Sequence, residues 1–233
     1  MKAIVYYTIN TILRSKWKMV AILSIMVVEG ISIISGSSLI KITTPSPVPL
    51  YGAFFFLIFL NAGIIYSDFS MGKLELIFSK PVSKLGYFIG KFTAVFIVAL
   101  IWDAINLLYL DLVTFIFQKK GIPLLYLGEN FIFHLFNIVA VTIAIMFFSS
   151  FVATGIDSIL FLITTAAAGI LESNQIVPVW FTKYFIGFQF STNSFRLFHG
   201  FESNWLQFFV GFFMTILVFG LAGFFILKKK IET

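Results

Sequence analysis

Six long apolar runs constrain this chain more than anything else in it. They read as 19–40, 50–66, 92–117, 131–152, 156–171 and 206–227. A helix crosses a bilayer core with roughly 20 apolar residues, and only helices or closed barrels satisfy backbone groups in lipid. Runs of this length without period-2 alternation predict α-helices. A soluble domain carries about 25% charged residues. This chain has 11%, beside 60% hydrophobic residues and a mean hydropathy of +1.03, so it cannot cover a water-facing surface. The expected class is an all-α membrane protein with six transmembrane helices, formed as a single transmembrane domain over 1–233.

The flanking charges predict the orientation, because Lys and Arg concentrate on the cytoplasmic side. Threading six spans puts Lys2, Arg14, Lys16, Lys18, Lys73, Lys80, Lys84, Lys91 and Lys228 to Lys230 on one side. Lys41, Lys119, Lys120, Lys183 and Arg196 fall on the other. Both termini are therefore expected to be cytoplasmic. The net charge of +6 does not point to nucleic acid, since the charges flank spans and form no basic face. With no cysteine, disulfide, zinc and thiol chemistry are not expected. The start, "MKAIVYYTIN", lacks a continuous apolar core and a small-residue cleavage site, so no removable signal is expected.

Residues 1–18 are too polar to span. Ile4, Val5, Ile9, Ile12, Leu13 and Trp17 recur at helix-like spacing, with Arg14, Lys16 and Lys18 gathered at the end. This reads as a helix in the inner interface, or as a basic flank that orients the first span. The loop 172–205 is rich in aromatic residues, and is expected to dip into the outer interface as one or two short helices, broken at Pro178 and Gly187.

Between the second and third runs lies "GKLELIFSKPVSKLGYFIGK", residues 72–91, with four lysines and one acid, Glu75. Met71, Leu74, Ile77 and Phe78 recur at helical spacing, while Lys73, Ser79 and Lys80 lie mainly opposite. Pro81 stops this helix, because the residue before a proline is pushed out of the α region. Ser83 can cap the next one. The result is a short amphipathic helix across the membrane axis, tethered at both ends to spans. On physical grounds alone it either rests on headgroups or transmits a push to those spans.

The same stretch resembles the G-T-L-E-L-L-L-S-x-P-V-S-R-x-x-x-x-L-G-K signature of ABC-2-type transporter permeases. Gly72, Leu74, Glu75, Leu76, Ser79, Pro81, Val82, Ser83, Gly90 and Lys91 match it. Lys84 stands for the family's arginine, Lys73 for its threonine and Ile89 for its usual leucine. The six-run layout, the basic N-terminal helix and the long final outer loop are also similar to that family. The resemblance implies a membrane-spanning subunit in a prokaryotic cell membrane. It implies a homodimer, or a pair with a homologous permease, joined to a separate ABC ATPase subunit. The 71–80 segment would be the coupling helix, docking through Met71, Gly72, Leu74, Glu75, Leu76, Phe78, Lys80 and Pro81. ATP and Mg would be bound by the partner, and none by this chain.

"GYFIGKF" does not make the chain an ATPase. A P-loop needs G-x-x-x-x-G-K-[ST]; here Gly86 and Gly90 are one residue too close, and Phe92 holds the hydroxyl position. Polar residues inside spans are costly and often functional. Glu29, Asn61, Asp103 and Asn106 are candidates for a transport path, or else for interhelical hydrogen bonds. Asp111 and Thr114 share the stripe of Asp103, and Asp157 reads as a helix N-terminal acid. Ser32 with Gly36, and the run Ala166 to Gly169, are small-residue sites where helices can pack closely. His134 and His199 have no acidic neighbour at ligand spacing, and no Ser-His-Asp pattern is visible. By that family likeness, the sequence reads as the permease subunit of an ATP-driven ABC exporter. Its rivals are an ion-gradient-driven secondary transporter using Asp103 and Glu29, and a membrane assembly factor without transport.

Overall fold

The computed structural model describes residues 1–34, 56–119, 121–173 and 205–232. The regular elements among them are all helical. In chain order they are α1 (Lys2–Arg14), α2 (Lys16–Ile34), α3 (56–61), α4 (Tyr66–Ser70), α5 (Lys73–Phe78), α6 (Lys84–Gln118), α7 (Leu124–Ser149), α8 (Ile156–Ser173) and α9 (Trp205–Glu232). The first part of the second expected span and the aromatic stretch at 174–204 lie outside the described residues, as do Gly36 and His199.

Two helices are long and apolar enough to cross a membrane, α6 and the 212–232 part of α9. Only 22% of the apolar window in α9 is buried, against 44% in α6, so neither is wrapped as a soluble core helix would be. On α6, Ile97, Ile101, Ile105, Leu108, Leu112 and Phe115 face outward, each about one turn from the next. On α9, Phe213, Leu217, Leu221 and Phe225 do the same. Stripes of this size fit lipid rather than water. At 35 residues, α6 is about 52 Å long, so it outreaches a hydrocarbon core of roughly 30 Å.

One end of the bundle gathers most of the polar contacts, and it is called the basal end here. α6 leaves it and α7 returns to it; α8 leaves and α9 returns. α1 packs on α6 through Ile4, Thr8 and Ile12, one buried stripe at every fourth residue. Close approach needs Gly90: a Cβ there would meet the Ile4 side chain at 2.9 Å. α9 packs on α7, with Phe147 and Phe219 edge to face at 5.3 Å. Ser15 is extended and separates α1 from α2, so the expected 2–18 helix ends at Arg14.

The second expected span differs from its sequence reading, for a definite reason. It does not run on to 66: the helix stops at Asn61, turns over 62–65, and restarts as α4. A broken helix exposes backbone groups that lipid cannot satisfy, and side chains from three other helices satisfy them here. Lys18 Nζ donates to the Leu60 and Ala62 carbonyls, at 2.7 and 3.0 Å. Asp157 Oδ2 accepts from Gly63 N at 2.6 Å, and Ser149 Oγ accepts from Ile65 N and Tyr66 N at 3.1 and 3.2 Å. Asp157 is the acid in the first turn of α8, where its Oδ1 also accepts from Gly155 N and Ser158 N. The same carboxylate therefore serves its own helix and the break.

Asp157→Ala leaves three N–H groups without their acceptor, and should destabilise the protein by about 2–3 kcal/mol. Asp111→Ala removes a single bond, to Ile122 N at 2.7 Å, and should cost about 1 kcal/mol. Denaturant unfolding in detergent checks the order; equal losses would contradict this account of the break.

Candidate functional site

The basal end is organised around Asp68, on the short helix α4. It is 1% exposed. Lys91 Nζ from α6 lies 2.7 Å from its Oδ2, and both side chains are 2% exposed. Tyr87, one turn earlier on α6, donates its hydroxyl to the same oxygen at 2.7 Å, and Tyr7 from α1 donates to Oδ1 at 2.9 Å. A buried ion pair is tolerable only when further hydrogen bonds satisfy it, and two tyrosines supply them here. The Lys91 ammonium also stands 5.2 Å from the Tyr7 ring and 5.5 Å from the Tyr87 ring. Burial first, then the Asp68 charge, pushes the Tyr7 hydroxyl up to about 12, so Tyr7 stays a donor at neutral pH.

α5 hangs from this anchor. Gly72 precedes it with φ of 63°, a left-handed turn with open space about its Cα. Leu74 is buried, Ile77 and Phe78 are half-buried against the core, and the Phe78 and Tyr87 rings lie 5.5 Å apart. The other face is open: Met71, Gly72, Glu75, Leu76, Ser79, Lys80 and Pro81 are all exposed. Two of these are large apolar side chains, Met71 at 62% and Leu76 at 68% exposure. Here the sequence reading needs correction. The helix covers 73–78, and Met71, expected on its apolar face with Leu74 and Phe78, lies in the preceding turn and points outward. Leu74 and Phe78 of the expected docking set face inward, so they support α5 and leave the outer face to the other six. Ser83 caps α6 as expected, its Oγ accepting from Gly86 N at 3.0 Å.

The intramembrane candidates form two pairs and one separate contact, all inside the chain. Asn106 Nδ2 donates to Glu29 Oε2 at 2.9 Å, joining α6 to α2. Asp103 pairs with His134 Nδ1, joining α6 to α7. Asn61 donates to Leu57 O at 2.8 Å and reaches Thr142 Oγ1 at 3.3 Å. Glu29, Asn61, Asp103 and Asn106 are at most 5% exposed. The space beside Asp103 and His134 is about 10 Å³, near the roughly 10–15 Å³ that one water needs. Glu29 Oε1 and Asp103 Oδ2 have no hydrogen-bond partner among the described residues. No three His, Cys, Asp or Glu side chains converge as metal ligands among the described residues.

Sequence reasoning missed Asp68 and the His134 pairing. Asp68 had a signal: it is one of ten acids and stands two residues after the 50–66 apolar run, at the basic end. His134 had none along the chain, because 31 residues separate it from Asp103 and only packing of α6 on α7 brings them together. No protein-family model matches the chain, and no curated protein matches it.

Lys91→Met leaves a buried carboxylate facing two tyrosines alone, and Asp68→Leu strands a buried ammonium. Each should cost about 3–5 kcal/mol. The double variant should fall short of the sum by at least about 1 kcal/mol. A double-mutant cycle on thermal unfolding in detergent reads this, and strict additivity would show that the pair is not coupled.

Proposed function

We propose that this chain is the membrane-spanning permease subunit of an ABC-2-type exporter. In this reading six helices cross the membrane, both termini and the basal end are cytoplasmic, and two copies pair with two ATPase subunits. The observation that carries the reading is the exposed face of α5. It offers two apolar side chains, Met71 and Leu76, flanked by one acid and one base, Glu75 and Lys80. Such a face is small, amphipathic and fixed on its back by Leu74, Ile77 and Phe78. A partner that pushes on it moves α4 and α6 together, because Asp68 on one is bonded to Tyr87 and Lys91 on the other. ATP and Mg are held by the partner, whose closure on ATP supplies the movement. The gathering of Lys18, Lys73, Lys84, Lys91 and Lys230 contacts at the basal end also supports a cytoplasmic assignment there.

One observation favours a second reading, a carrier driven by an ion gradient. The buried carboxylates of Glu29 and Asp103 each keep one oxygen without a partner among the described residues, and Asp103 faces His134. Ionisable side chains at such depth are typical of proton relays.

The chain has no cysteine, so Lys80→Cys gives a unique label. An impermeant thiol reagent should reach it in inverted vesicles and not in intact cells; labelling from outside reverses the assigned topology. The tagged chain purified from its host should carry an ATPase subunit. Leu76→Asp should reduce that co-purification at least tenfold with unfolding temperature unchanged, and Asp103→Asn should not. Uptake by the chain alone in liposomes, abolished by Asp103→Asn, would instead establish the second reading.

A further inference from the structure

The bases at the basal end divide by whether the protein itself uses them. Lys18 is spent on the Leu60 and Ala62 carbonyls, Lys91 on Asp68 and Lys84 on Glu232. Lys73 and Lys230 stand over aromatic rings. Lys2, Arg14 and Lys16 are exposed, and make no ion pair or side-chain hydrogen bond among the described residues. All three lie on α1 or at the first residue of α2. No acid accompanies them along the chain, where the first acid is Glu29.

α1 has two opposite faces. Ile4, Thr8 and Ile12 are buried on the face that packs on α6. At about 100° per residue, Tyr6 and Leu13 lie within about 20° of each other and roughly opposite that stripe. Both are exposed. Lys2 and Arg14 stand at the two ends of the helix. Beyond the extended Ser15, Trp17 is exposed and opens an outward apolar stripe on α2, continued by Val20, Leu23, Val27 and Ile31. Spacings of three and four keep that stripe on one side of α2. Such a stripe fits hydrocarbon rather than water. Trp17 then marks the level where hydrocarbon gives way to headgroups, a level at which tryptophan and tyrosine concentrate. Arg14 and Lys16 come immediately before it.

We propose that the outer face of α1, with Lys2, Arg14 and Lys16, docks on the headgroup layer of anionic phospholipid. Continuity selects lipid over a soluble acidic protein. The edge that carries the unused charge runs directly into the apolar stripe of α2, and a soluble partner cannot cover both. A helix with bases beside Trp, Tyr and Leu holds such a layer by apolar burial and by charge together. Each base near an anionic surface strengthens the association roughly fivefold. The other side of α1 holds Tyr7, whose hydroxyl fills Asp68 Oδ1. Lipid charge therefore bears on the anchor from which α5 hangs, without touching α5. The inference rests on the membrane reading of the chain and needs no ATPase partner.

The test uses the full chain alone, in phosphatidylcholine discs with rising shares of phosphatidylglycerol, at constant ionic strength. Unfolding temperature should rise with phosphatidylglycerol, and not with inorganic phosphate added to pure phosphatidylcholine discs. Arg14→Gln combined with Lys16→Gln should lose at least about half of that rise. Lys119→Gln combined with Lys228→Gln removes equal charge from exposed lysines elsewhere, and should lose clearly less. The chain has no cysteine, so Tyr6→Cys carries a single fluorescent label on the outer face. A headgroup nitroxide should quench that label, and acrylamide in the water should reach it less as phosphatidylglycerol rises. An absent rise, an equal loss in the two double variants, or a matching rise with inorganic phosphate overturns the proposal. Unchanged acrylamide access also overturns it, and leaves the charge of α1 to an acidic protein. All the substituted side chains are exposed, so folded variants are expected. With no ATPase in the assay, a negative result leaves the ABC-2 reading standing, and failed ATPase co-purification leaves this one.

Discussion

A carboxylate cannot stay charged in a dry bundle unless its oxygens are filled, and Asp68 meets that condition with donors from two different helices. Tyr7 comes from α1, and Tyr87 and Lys91 come from successive turns of α6. Because each donor is useful only in place, the constraint fixes more than one contact. It sets the height of α1 against α6, which Gly90 makes close enough to reach. It also holds α4 down beside them, leaving α5 hanging between α4 and the start of α6. Without such an anchor a six-residue helix bounded by a glycine turn and a proline would be marginal, since short helices depend on tertiary packing. The exposed face of α5 is thus a consequence of buried electrostatics a few residues away.

The helix break at 62–65 obeys the same logic with neutral groups. Two carbonyls and three N–H groups near it are satisfied by Lys18, Asp157 and Ser149, drawn from α2, α8 and α7. These contacts knit the basal ends of four helices. Farther along the bundle the polar contacts are sparser: Glu29 with Asn106, Asp103 with His134, and Asn61 with Thr142. Interhelical hydrogen bonds in membranes average only about 0.6 kcal/mol, so these pairs select a register more than they supply stability. The polar contacts that join different helices are thus densest at the basal end, where α1, α4 and α6 meet on Asp68.

What could be read from the sequence followed the range of the interactions. Helical runs are local, and α6, α7, α8 and α9 contain the runs expected over 92–117, 131–152, 156–171 and 206–227, apart from the last three residues of the fourth. The Ser83 cap is a three-residue relation and was equally legible. The break after Asn61 was not, because Gly63 in a run of apolar residues looks like a tolerated helix glycine. What ends the helix there is the supply of distant partners: Lys18, 42 and 44 positions before the carbonyls it serves, and Asp157, 94 positions after Gly63. Asn61, Glu29 and Asn106 were recognisable as costly, yet their partners depend on α2 packing on α6 and on α3 lying against α7, which periodicity does not encode. Met71 was misplaced because helical spacing was extended across Gly72, whose left-handed backbone ends the count.

The four lysines of 72–91 look alike in sequence, and an orientation rule treats them alike. Their surroundings do not. Lys91 is a buried partner of Asp68, Lys73 stands over the Tyr7 ring, and Lys84 pairs with Glu232 across the exposed ends of α6 and α9. That exposed pair adds little stability, since surface ion pairs are screened by water. Lys80, exposed beside Leu76 and Pro81, is the lysine of the segment to which no such contact is assigned. If orientation alone explained the charge, burying Lys91 at the cost of its hydration would be a poor use of it. The segment is better understood as a scaffold whose inner charges build the anchor, leaving Lys80 and Glu75 on an outer face that nothing within the described chain covers.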